Sequence, residues 1–218
     1  MTDDSKVQEK ISRAVIRRLP RYYRYLEEIS QQGVEKISSL KMSEEMGLNA
    51  SQIRRDLNCF GGFGQQGYGY SVDKLKQEIA HILGLDRSYN VVVIGAGRIG
   101  QALMGYRSFS EEGFHLVAIF DNDEGKVGEI ACGKKVQHIS YLEAYLKNNT
   151  VDIAFICTPK EGAQSTADYL VSLGIRAIWN FAPVDVCVRK GVSVENVHLS
   201  DSLYVLAYMF ANNTTMAD

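Results

Sequence analysis

A short apolar strand runs directly into a glycine-rich turn near the middle of the chain. Residues 91–94 are all Val or Ile, which is typical of a strand that is buried on both faces. Three glycines follow with the spacing G-x-G-x-x-G, and a helix-forming segment begins at Gln101. Such glycines permit a tight turn, a close approach of the backbone to a pyrophosphate, and close packing of helix on strand. The sequence therefore predicts a dinucleotide site that includes Gly95, Ala96, Gly97, Arg98, Ile99 and Gly100.

Strands and helices alternate after this turn. Apolar strands are predicted at 114–121, 151–157 and 177–181, and helices from Ser140 to Leu146 and from about Gly162 to Leu173. This alternation indicates an α/β fold with a Rossmann-type, doubly wound parallel sheet. Ligands of such sheets bind beyond the carboxyl ends of the strands. We therefore expect the cofactor also to contact Asp121, Thr158, Pro159 and Asn180.

The acid at the end of the second predicted strand indicates which dinucleotide binds. Asp121 lies 21 residues beyond Gly100. A carboxylate at this place accepts hydrogen bonds from the adenosine ribose hydroxyls and repels a 2′-phosphate. The predicted ligands are therefore NAD⁺ and NADH rather than their 2′-phosphorylated forms.

The first 86 residues predict a winged helix-turn-helix. Pro20 is the predicted first residue of a helix whose apolar face is formed by Leu19, Tyr22, Leu26 and Ile29. A second helix, capped by Ser38 or Ser39, ends at Gly47, and a third begins near Asn49 or Ser51. Two short helices joined by a glycine-containing turn are typical of a helix-turn-helix. The alternative is three small helices that pack on the cofactor domain, with the later glycines as a linker.

The third helix is the predicted DNA-reading element. Ile53 and Leu57 point inward, which leaves an exposed face formed by Ser51, Gln52, Arg54 and Arg55. Side chains of these types contact base edges and phosphates. The glycine- and aromatic-rich segment 60–70 follows directly and predicts a hairpin wing. Residues 5–25 contain seven Lys and Arg against the single acid Glu9, a pattern that fits a nucleic-acid or acidic partner and a solvated helix face equally well.

Other classes of protein are disfavoured. The four cysteines form no Cys-x-x-Cys pair, so neither a metal site nor a redox dithiol is predicted. The chain begins without an apolar leader, and we expect a cytoplasmic protein. About 40 residues follow the last predicted core strand, too few for a substrate domain, and no convincing catalytic acid or base is visible. We predict that the chain is not an enzyme; a small NAD-dependent oxidoreductase and a coenzyme A-binding module are the alternatives.

The last segment is apolar almost all round. Residues 200–210 have a helical composition, and a helix of this kind must be buried. Insertion into a partner subunit would give a twofold homodimer with paired DNA-reading helices, whereas packing within its own subunit is the alternative. The predicted domains are a winged-helix domain at 1–86, a Rossmann domain at 87–198 and a dimerisation helix at 199–218.

The order of several motifs resembles one known family over nearly the whole chain. The motifs are Arg18-Leu19-Pro20 with Tyr22, Gln52-Ile53-Arg54-Arg55-Asp56-Leu57, Phe60-Gly61, Gly67-Tyr68-Gly69-Tyr70, the glycine turn and Asn180-Phe181-Ala182-Pro183. Together they resemble the bacterial redox-sensing transcriptional repressor family Rex. The resemblance implies a homodimer that binds an AT-rich palindromic DNA operator when NAD⁺ dominates and leaves it when NADH binds.

The resemblance also implies roles for individual residues. Arg54 and Arg55 match the basic pair of the family's recognition helix, and Tyr68 matches the aromatic residue that closes the wing. Tyr106 and Arg24 match positions that the family uses near the nicotinamide and the subunit interface.

Two positions depart from the family's pattern. The wing tip carries Gln65 and Gln66 where relatives commonly have basic residues, so Gln66 is predicted to hydrogen-bond in a minor groove while neutralising no phosphate charge. His198 stands where relatives often have an acid.

Overall fold

The computed structural model describes residues 11–61 and 69–212. Two compact units are present, one ending at Asp86 and the other beginning at Arg87. The predicted wing residues Gln65, Gln66 and Tyr68 lie outside the described residues.

The first unit is a small helical domain with a two-stranded antiparallel sheet. Its elements are α1 (Arg13–Gln31), β1 (Lys36–Ile37), α2 (Ser39–Met46), α3 (Ala50–Asn58), β2 (Tyr70–Ser71) and α4 (Val72–Leu83). Strand β2 pairs with β1, so Ile37 lies opposite Tyr70. The fully buried side chains of this unit come from all four helices and include Leu19, Leu26, Met42, Ile53, Leu57, Leu75 and Ile79.

Helix α1 corrects the prediction for Pro20. The helix begins at Arg13, where Ser12 accepts a hydrogen bond from the N–H of Val15, and Pro20 lies in its interior. Val15 and Leu19 are buried on the same face as the residues that follow Pro20. Packing of one continuous apolar stripe therefore outweighs the hydrogen bond that the proline removes.

The two helices that follow confirm the predicted helix-turn-helix. The Ser38 side chain accepts the Lys41 N–H at the start of α2, and Gly47 ends the helix in a left-handed conformation with φ +64°. The Asn49 side chain then caps α3 by accepting the N–H groups of Ser51 and Gln52. Both helices therefore begin with a side chain that accepts hydrogen bonds from exposed backbone N–H groups.

The second unit is built on a seven-stranded sheet. Its elements are β3 (Tyr89–Ile94), α5 (Arg98–Met104), α6 (Arg107–Glu111), β4 (Phe114–Asp121), β5 (Ile130–Ala131), β6 (Lys134–His138), α7 (Leu142–Asn148), β7 (Ile153–Ile156), α8 (Lys160–Ser172), β8 (Ala177–Asn180), β9 (Ser193–Asn196) and α9 (Leu199–Ala211). The strand order is β5-β6-β4-β3-β7-β8-β9, and every pair except β5 with β6 is parallel. Without β5 this is the strand order of the doubly wound dinucleotide-binding fold, which confirms the predicted class.

The glycine turn joins β3 to α5 at the centre of this sheet. Gly95 has φ +108°, a conformation that side chains disfavour. A Cβ on Gly100 would lie 1.9 Å from the Gly95 carbonyl oxygen, so the helix approaches the turn through backbone alone. A Cβ on Gly97 would meet nothing within 4 Å. The third glycine is thus required for packing, whereas the second leaves open space beside the backbone.

Helix α9 is apolar and exposed in the single chain. None of its residues is buried, Phe210 is 85% exposed, and Asp201 is its only charged residue. The alternative in which this helix packs within its own subunit is therefore not observed.

Two classes of feature are not found within the described residues. None of the helices there is long and apolar enough to span a membrane. The same residues contain no cluster of three or more His, Cys, Asp or Glu side chains that could hold a metal ion.

We predict that Gly100→Ala destabilises the second unit by about 3 kcal/mol, because the added methyl group would overlap the Gly95 carbonyl. Gly97→Ala is the matched control, and its cost should stay below about 1 kcal/mol. Urea unfolding followed by the fluorescence of Trp179, the single tryptophan, reports on this unit. Equal stabilities of the two variants would contradict the packing role assigned to Gly100.

Candidate nucleic-acid interface and nucleotide pocket

The outward side of α3 carries the predicted DNA-reading residues. Ser51, Arg54 and Arg55 are exposed. The Arg54 guanidinium donates to the Ser51 hydroxyl over 3.1 Å, and the Arg55 guanidinium donates to the Gln52 side-chain oxygen over 3.2 Å. Both cations are therefore held along the helix while their remaining N–H groups stay available to an acceptor.

Gln52 is less exposed than predicted. Its side chain is half-buried, and its amide nitrogen donates to Asp56 Oδ1 over 2.7 Å. The amide thus links the inner and outer sides of α3, with its nitrogen on Asp56 and its oxygen on Arg55. Gln52 positions Arg55 whether or not it touches DNA itself.

Asp56 is the buried centre of this region. Its side chain is 1% exposed, and it accepts two hydrogen bonds from the Arg18 guanidinium, at 2.6 and 2.8 Å. It also accepts the Tyr22 hydroxyl at 2.8 Å and the Gln52 amide at 2.7 Å. Arg18 and Tyr22 belong to α1, so one carboxylate ties α3 to the first helix.

These donors keep the Asp56 carboxylate ionised. Burial alone would raise the pKa of Asp56, but the hydrogen bonds from Arg18, Tyr22 and Gln52 outweigh it and leave that pKa below its ordinary value. The pKa of Tyr22 is raised, first by burial and then by its hydrogen bond to Asp56. At neutral pH the network is a carboxylate that faces a guanidinium and a neutral phenol.

The second unit contains a cavity of 530 Å³ at the carboxyl ends of its central strands. Four of the predicted cofactor residues line this cavity, and they come from the ends of three strands: Gly95, Asp121, Thr158 and Pro159. Ten further residues complete the lining: Ile94, Asn122, Ile139, Leu142, Glu161, Gly162, Ser165, Thr166, Tyr169 and Leu170. The volume is in the range of small-ligand sites, and the wall is mostly apolar with a few polar groups.

Thr158 provides a polar group that lacks a partner. Its Oγ1 atom is buried, yet among the described residues it makes no hydrogen bond. A buried hydroxyl without a partner is costly, and a ligand oxygen or nitrogen in the cavity would satisfy it. The residue that the strand-end rule predicts is therefore suited to bind a polar ligand.

Asp121 stands at the end of β4 and is 6% exposed. It accepts the Ala96 N–H over 2.7 Å, the Asp123 N–H over 2.9 Å and the Lys126 ammonium over 3.3 Å. Burial would raise the pKa of Asp121, but the two backbone donors and Lys126 hold it below its ordinary value. A carboxylate is thus fixed beside the glycine turn, on the rim of the cavity.

The remaining predicted cofactor residues do not line the cavity. Ala96, Gly97, Arg98, Ile99 and Gly100 form the turn and the start of α5, where Ala96 and Gly100 are buried. Asn180 is fully buried and uses its side chain to hold its own loop. The amide donates to Val184 O and Asn196 Oδ1, and the oxygen accepts the Ala182 N–H. A cofactor contact of Asn180 stays a prediction.

The positions that the resemblance highlights are distributed over both units. Tyr106 follows the far end of α5, is 56% exposed and packs on Phe109 with ring centroids 4.8 Å apart. Arg24 is exposed on α1. His198, just before α9, lies 2.8 Å from Asp185, and this contact raises the pKa of the imidazole.

The thiol at the end of β7 is unsuited to nucleophilic catalysis. Burial raises the pKa of Cys157 to about 12, so the reactive thiolate is scarce at neutral pH.

Sequence reasoning missed Asp56 and Arg18 as a pair. An acid at position 56, between the inward-facing Ile53 and Leu57, breaks the apolar pattern of that face and should have indicated a buried partner. The cavity residues Glu161, Ser165 and Tyr169 were also missed. They lie on successive turns of one helix side, a spacing that by itself does not distinguish a ligand wall from a solvated face.

Comparison with known proteins covers both units. A family model described as putative DNA-binding protein N-terminus matches residues 10–58, and one described as CoA binding domain matches residues 86–184. The chain is 53% identical over 199 residues to a protein of Thermoanaerobacter pseudethanolicus named redox-sensing transcriptional repressor Rex, a match that covers 91% of this chain and 89% of the relative.

Two crystal structures of a protein named RSP are also similar. The complex of RSP with beta-NAD⁺ and operator DNA is 51% identical with a TM-score of 0.88, covering 93% of this chain and 94% of that one. The complex of RSP with beta-NADH is 48% identical with a TM-score of 0.86, covering 94% and 96%.

We predict that Asp56→Asn lowers the free energy of unfolding of the first unit by about 2–3 kcal/mol, because Arg18 loses the carboxylate that it faces. Glu44→Gln, on the exposed side of α2, is the control and should change that free energy by less than about 0.5 kcal/mol. Urea unfolding followed by helical circular dichroism measures both.

The loss of unfolding free energy caused by Asp56→Asn should become smaller in acid. The pKa of Asp56 is lowered by folding, so its stabilisation is fully present above the unfolded value of about 3.9 and is lost as the pH falls through the lower folded value. The difference between wild type and Asp56→Asn should therefore be constant from pH 7 to about 5 and shrink in stronger acid. A difference that grows in acid would contradict the network.

Proposed function

The chain belongs to the Rex family of redox-sensing transcriptional repressors, and on that premise we propose a division of labour between its two units. Helix α3 reads the operator, and the cavity of the second unit binds NAD⁺ or NADH. The protein is a DNA-binding repressor and not an enzyme: it binds a palindromic operator when NAD⁺ dominates and is released by NADH. The observation that carries the division is the presence of an exposed arginine pair in one unit and a nucleotide-sized cavity in the other.

The DNA-reading part rests on how α3 is held. The exposed guanidinium groups of Arg54 and Arg55 can reach phosphates or base edges, while Asp56 and Gln52 fix the helix from behind. An arginine that is already oriented loses less side-chain entropy when it contacts DNA. Ser51 adds a short polar side chain at the amino end of the helix, where recognition helices contact bases. Such a repressor acts where the genome lies, in the bacterial cytoplasm.

The nucleotide part rests on the cavity and the turn beside it. The adenosine fits between the apolar walls, with the Thr158 hydroxyl and the Asp121 carboxylate as its polar partners. The pyrophosphate lies along Gly95 to Gly97, where the open space beside Gly97 admits an anion close to backbone N–H groups. The nicotinamide, oxidised or reduced, supplies the redox information, and the residues of this chain supply position and charge.

The active species is a homodimer formed through α9. This helix exposes a row of large apolar side chains: Leu199, Leu203, Tyr204, Val205, Leu206, Tyr208 and Phe210. The same unit has an apolar cavity of 360 Å³ lined by aromatic residues that include Phe109, Phe155 and Trp179. A continuous row of exposed apolar side chains marks an interaction site, and a second copy of the chain offers the complementary surfaces. A twofold dimer presents two copies of α3 to the two halves of a palindrome.

Release of DNA requires that NADH favour the form that does not bind the operator. A hundredfold preference for that form corresponds to about 2.7 kcal/mol. The reduced nicotinamide is uncharged, whereas the oxidised ring carries a positive charge. An apolar niche at the dimer interface would bind NADH more tightly than NAD⁺, because binding of NAD⁺ would include the free-energy cost of burying that charge.

The first test is operator binding at fixed salt. Purified protein should bind an AT-rich palindrome, and NADH should release it at concentrations at which NAD⁺ has little effect. The double variant Arg54→Ala with Arg55→Ala should lose at least tenfold in DNA affinity yet bind NADH as wild type does, since it removes contacts worth about 1–3 kcal/mol each.

A second double variant controls for the loss of charge. Arg176→Ala with Lys190→Ala removes two exposed cations from the second unit and should leave operator affinity within about twofold. Failure of the wild-type chain to bind DNA in either redox state would overturn the proposal. Turnover of the cofactor with a hydroxy or carbonyl compound would then favour an oxidoreductase. Binding of coenzyme A would instead favour a coenzyme A-binding module.

The dimer makes a separate prediction. Leu206→Glu should shift the chain from dimer to monomer in sedimentation analysis, because a buried unpaired carboxylate at the interface costs several kcal/mol. Leu40→Glu alters an equally exposed leucine on α2 and should leave the mass unchanged. A wild-type chain that sediments as a monomer would contradict the assignment of α9.

A further inference from the structure

Three charged side chains lie together at the carboxyl end of β4, beside the nucleotide cavity. The Lys126 ammonium is 3.3 Å from Asp121 Oδ2 and 3.4 Å from Asp123 Oδ2, so one cation bridges two carboxylates. Asp121 lines the cavity, and Lys126 does not line it but hydrogen-bonds to this acid, so its charge lies next to the cavity wall. The cluster carries a net charge of about −1 at neutral pH.

Asp121 has little capacity left for a ribose. A carboxylate offers about four lone-pair sites. Three of them are engaged by protein donors: the N–H of Ala96, the N–H of Asp123 and the ammonium of Lys126. The side chain is also almost completely buried. Asp121 alone therefore does not account for recognition of the two adenosine ribose hydroxyls.

Lys126 has the capacity that Asp121 lacks. Its ammonium has three N–H donors, of which the two carboxylates use two. The side chain is 36% exposed, and both of its ion-pair distances are long, so the ammonium can move toward a ligand without breaking a tight contact. The flexible stem of a lysine permits such a movement.

We propose that Lys126 is a specificity-determining residue of the nucleotide pocket, which donates to the adenosine ribose and sets how strongly the pocket rejects a ribose 2′-phosphate. The inference rests on the proposed function, since it assigns a role within the same NAD(H) site. Two carboxylates would repel the 2′-phosphate strongly, and Lys126 offsets one of them. Asp123 in turn holds Lys126 back from the ligand. The balance among the three side chains, rather than Asp121 alone, decides the preference for NADH over NADPH.

Two substitutions should move this preference in opposite directions. Lys126→Met leaves two uncompensated carboxylates and should raise the ratio of the NADPH dissociation constant to that of NADH about tenfold, as expected for removing one charge near a phosphate. Asp123→Asn frees Lys126 and should lower the same ratio several-fold. The asparagine can keep the side-chain oxygen that accepts the Gly125 N–H, so the local turn is retained.

The full-length wild type and each variant are titrated with NADH and with NADPH. Calorimetry at low and at high salt gives the two dissociation constants. Lys74→Met, an exposed lysine of the first unit, is the matched control and should leave the ratio unchanged. Both shifts should shrink at high salt, because they arise from charge. A purely structural role of Lys126 would weaken both ligands equally and leave the ratio constant.

A ratio that stays constant in Lys126→Met, or that moves in the same direction in both variants, would overturn the proposal. Failure of the proposed function is a different result, in which the wild-type chain binds neither nucleotide. The two failures are therefore separable within one set of titrations.

Discussion

The second unit depends on a contact between two stretches of backbone. Strand β3 lies at the centre of the sheet, and the turn at Gly95 directs the chain over its carboxyl end into α5. Because a side-chain atom at Gly100 would fall 1.9 Å from the Gly95 carbonyl, the helix lies as near to the turn as main chains permit. Beside the same turn, a side-chain atom at Gly97 would meet nothing within 4 Å, and the N–H of Ala96 donates to the Asp121 carboxylate. Packing and ligand geometry therefore have the same origin.

Both units use a buried carboxylate to connect segments that are distant in the chain. Asp56 joins α3 to Arg18 and Tyr22 of α1, and Asp121 joins the end of β4 to the glycine turn. Each acid stays ionised because protein donors outweigh the cost of its burial. A carboxylate with several donors tolerates few other geometries, so it fixes orientation more sharply than apolar packing does. In a protein that must place a helix on DNA and a ribose in a pocket, orientation is the property that matters.

Periodic apolar patterns made most of the fold predictable. The central strands β3, β4, β7 and β8 and the capped helices α2 and α3 follow from local sequence, since each carries a clear period or a strong end residue. Strands β5, β6 and β9 were missed because they lie at or near the sheet edges and carry residues such as Lys134, Lys135 and Glu195 in place of an apolar run. The start of α1 was misplaced because burial of Val15 and Leu19 overrides the local effect of Pro20.

The candidate site was less predictable than the fold for a related reason. The strand-end rule points to Thr158 and Asp121, which both line the cavity, because the position of a strand end depends on topology. The roles proposed for Asp56, Gln52 and Lys126 depend on which side chains come into contact after folding. No periodic pattern in the sequence predicts those contacts.

A dimer also eases the energetic demand on redox sensing. In the proposed dimer, operator binding would require two α3 helices at a spacing that matches successive turns of DNA, so a change at either cofactor site would affect the same DNA complex. If each subunit prefers NADH in the released form by only tenfold, the two preferences multiply to a hundredfold, or about 2.7 kcal/mol per dimer. Each pocket then needs to distinguish the charged ring from the neutral one by about 1.4 kcal/mol. That is a small fraction of the cost of burying an unpaired charge, so partial exclusion of water from the nicotinamide is sufficient.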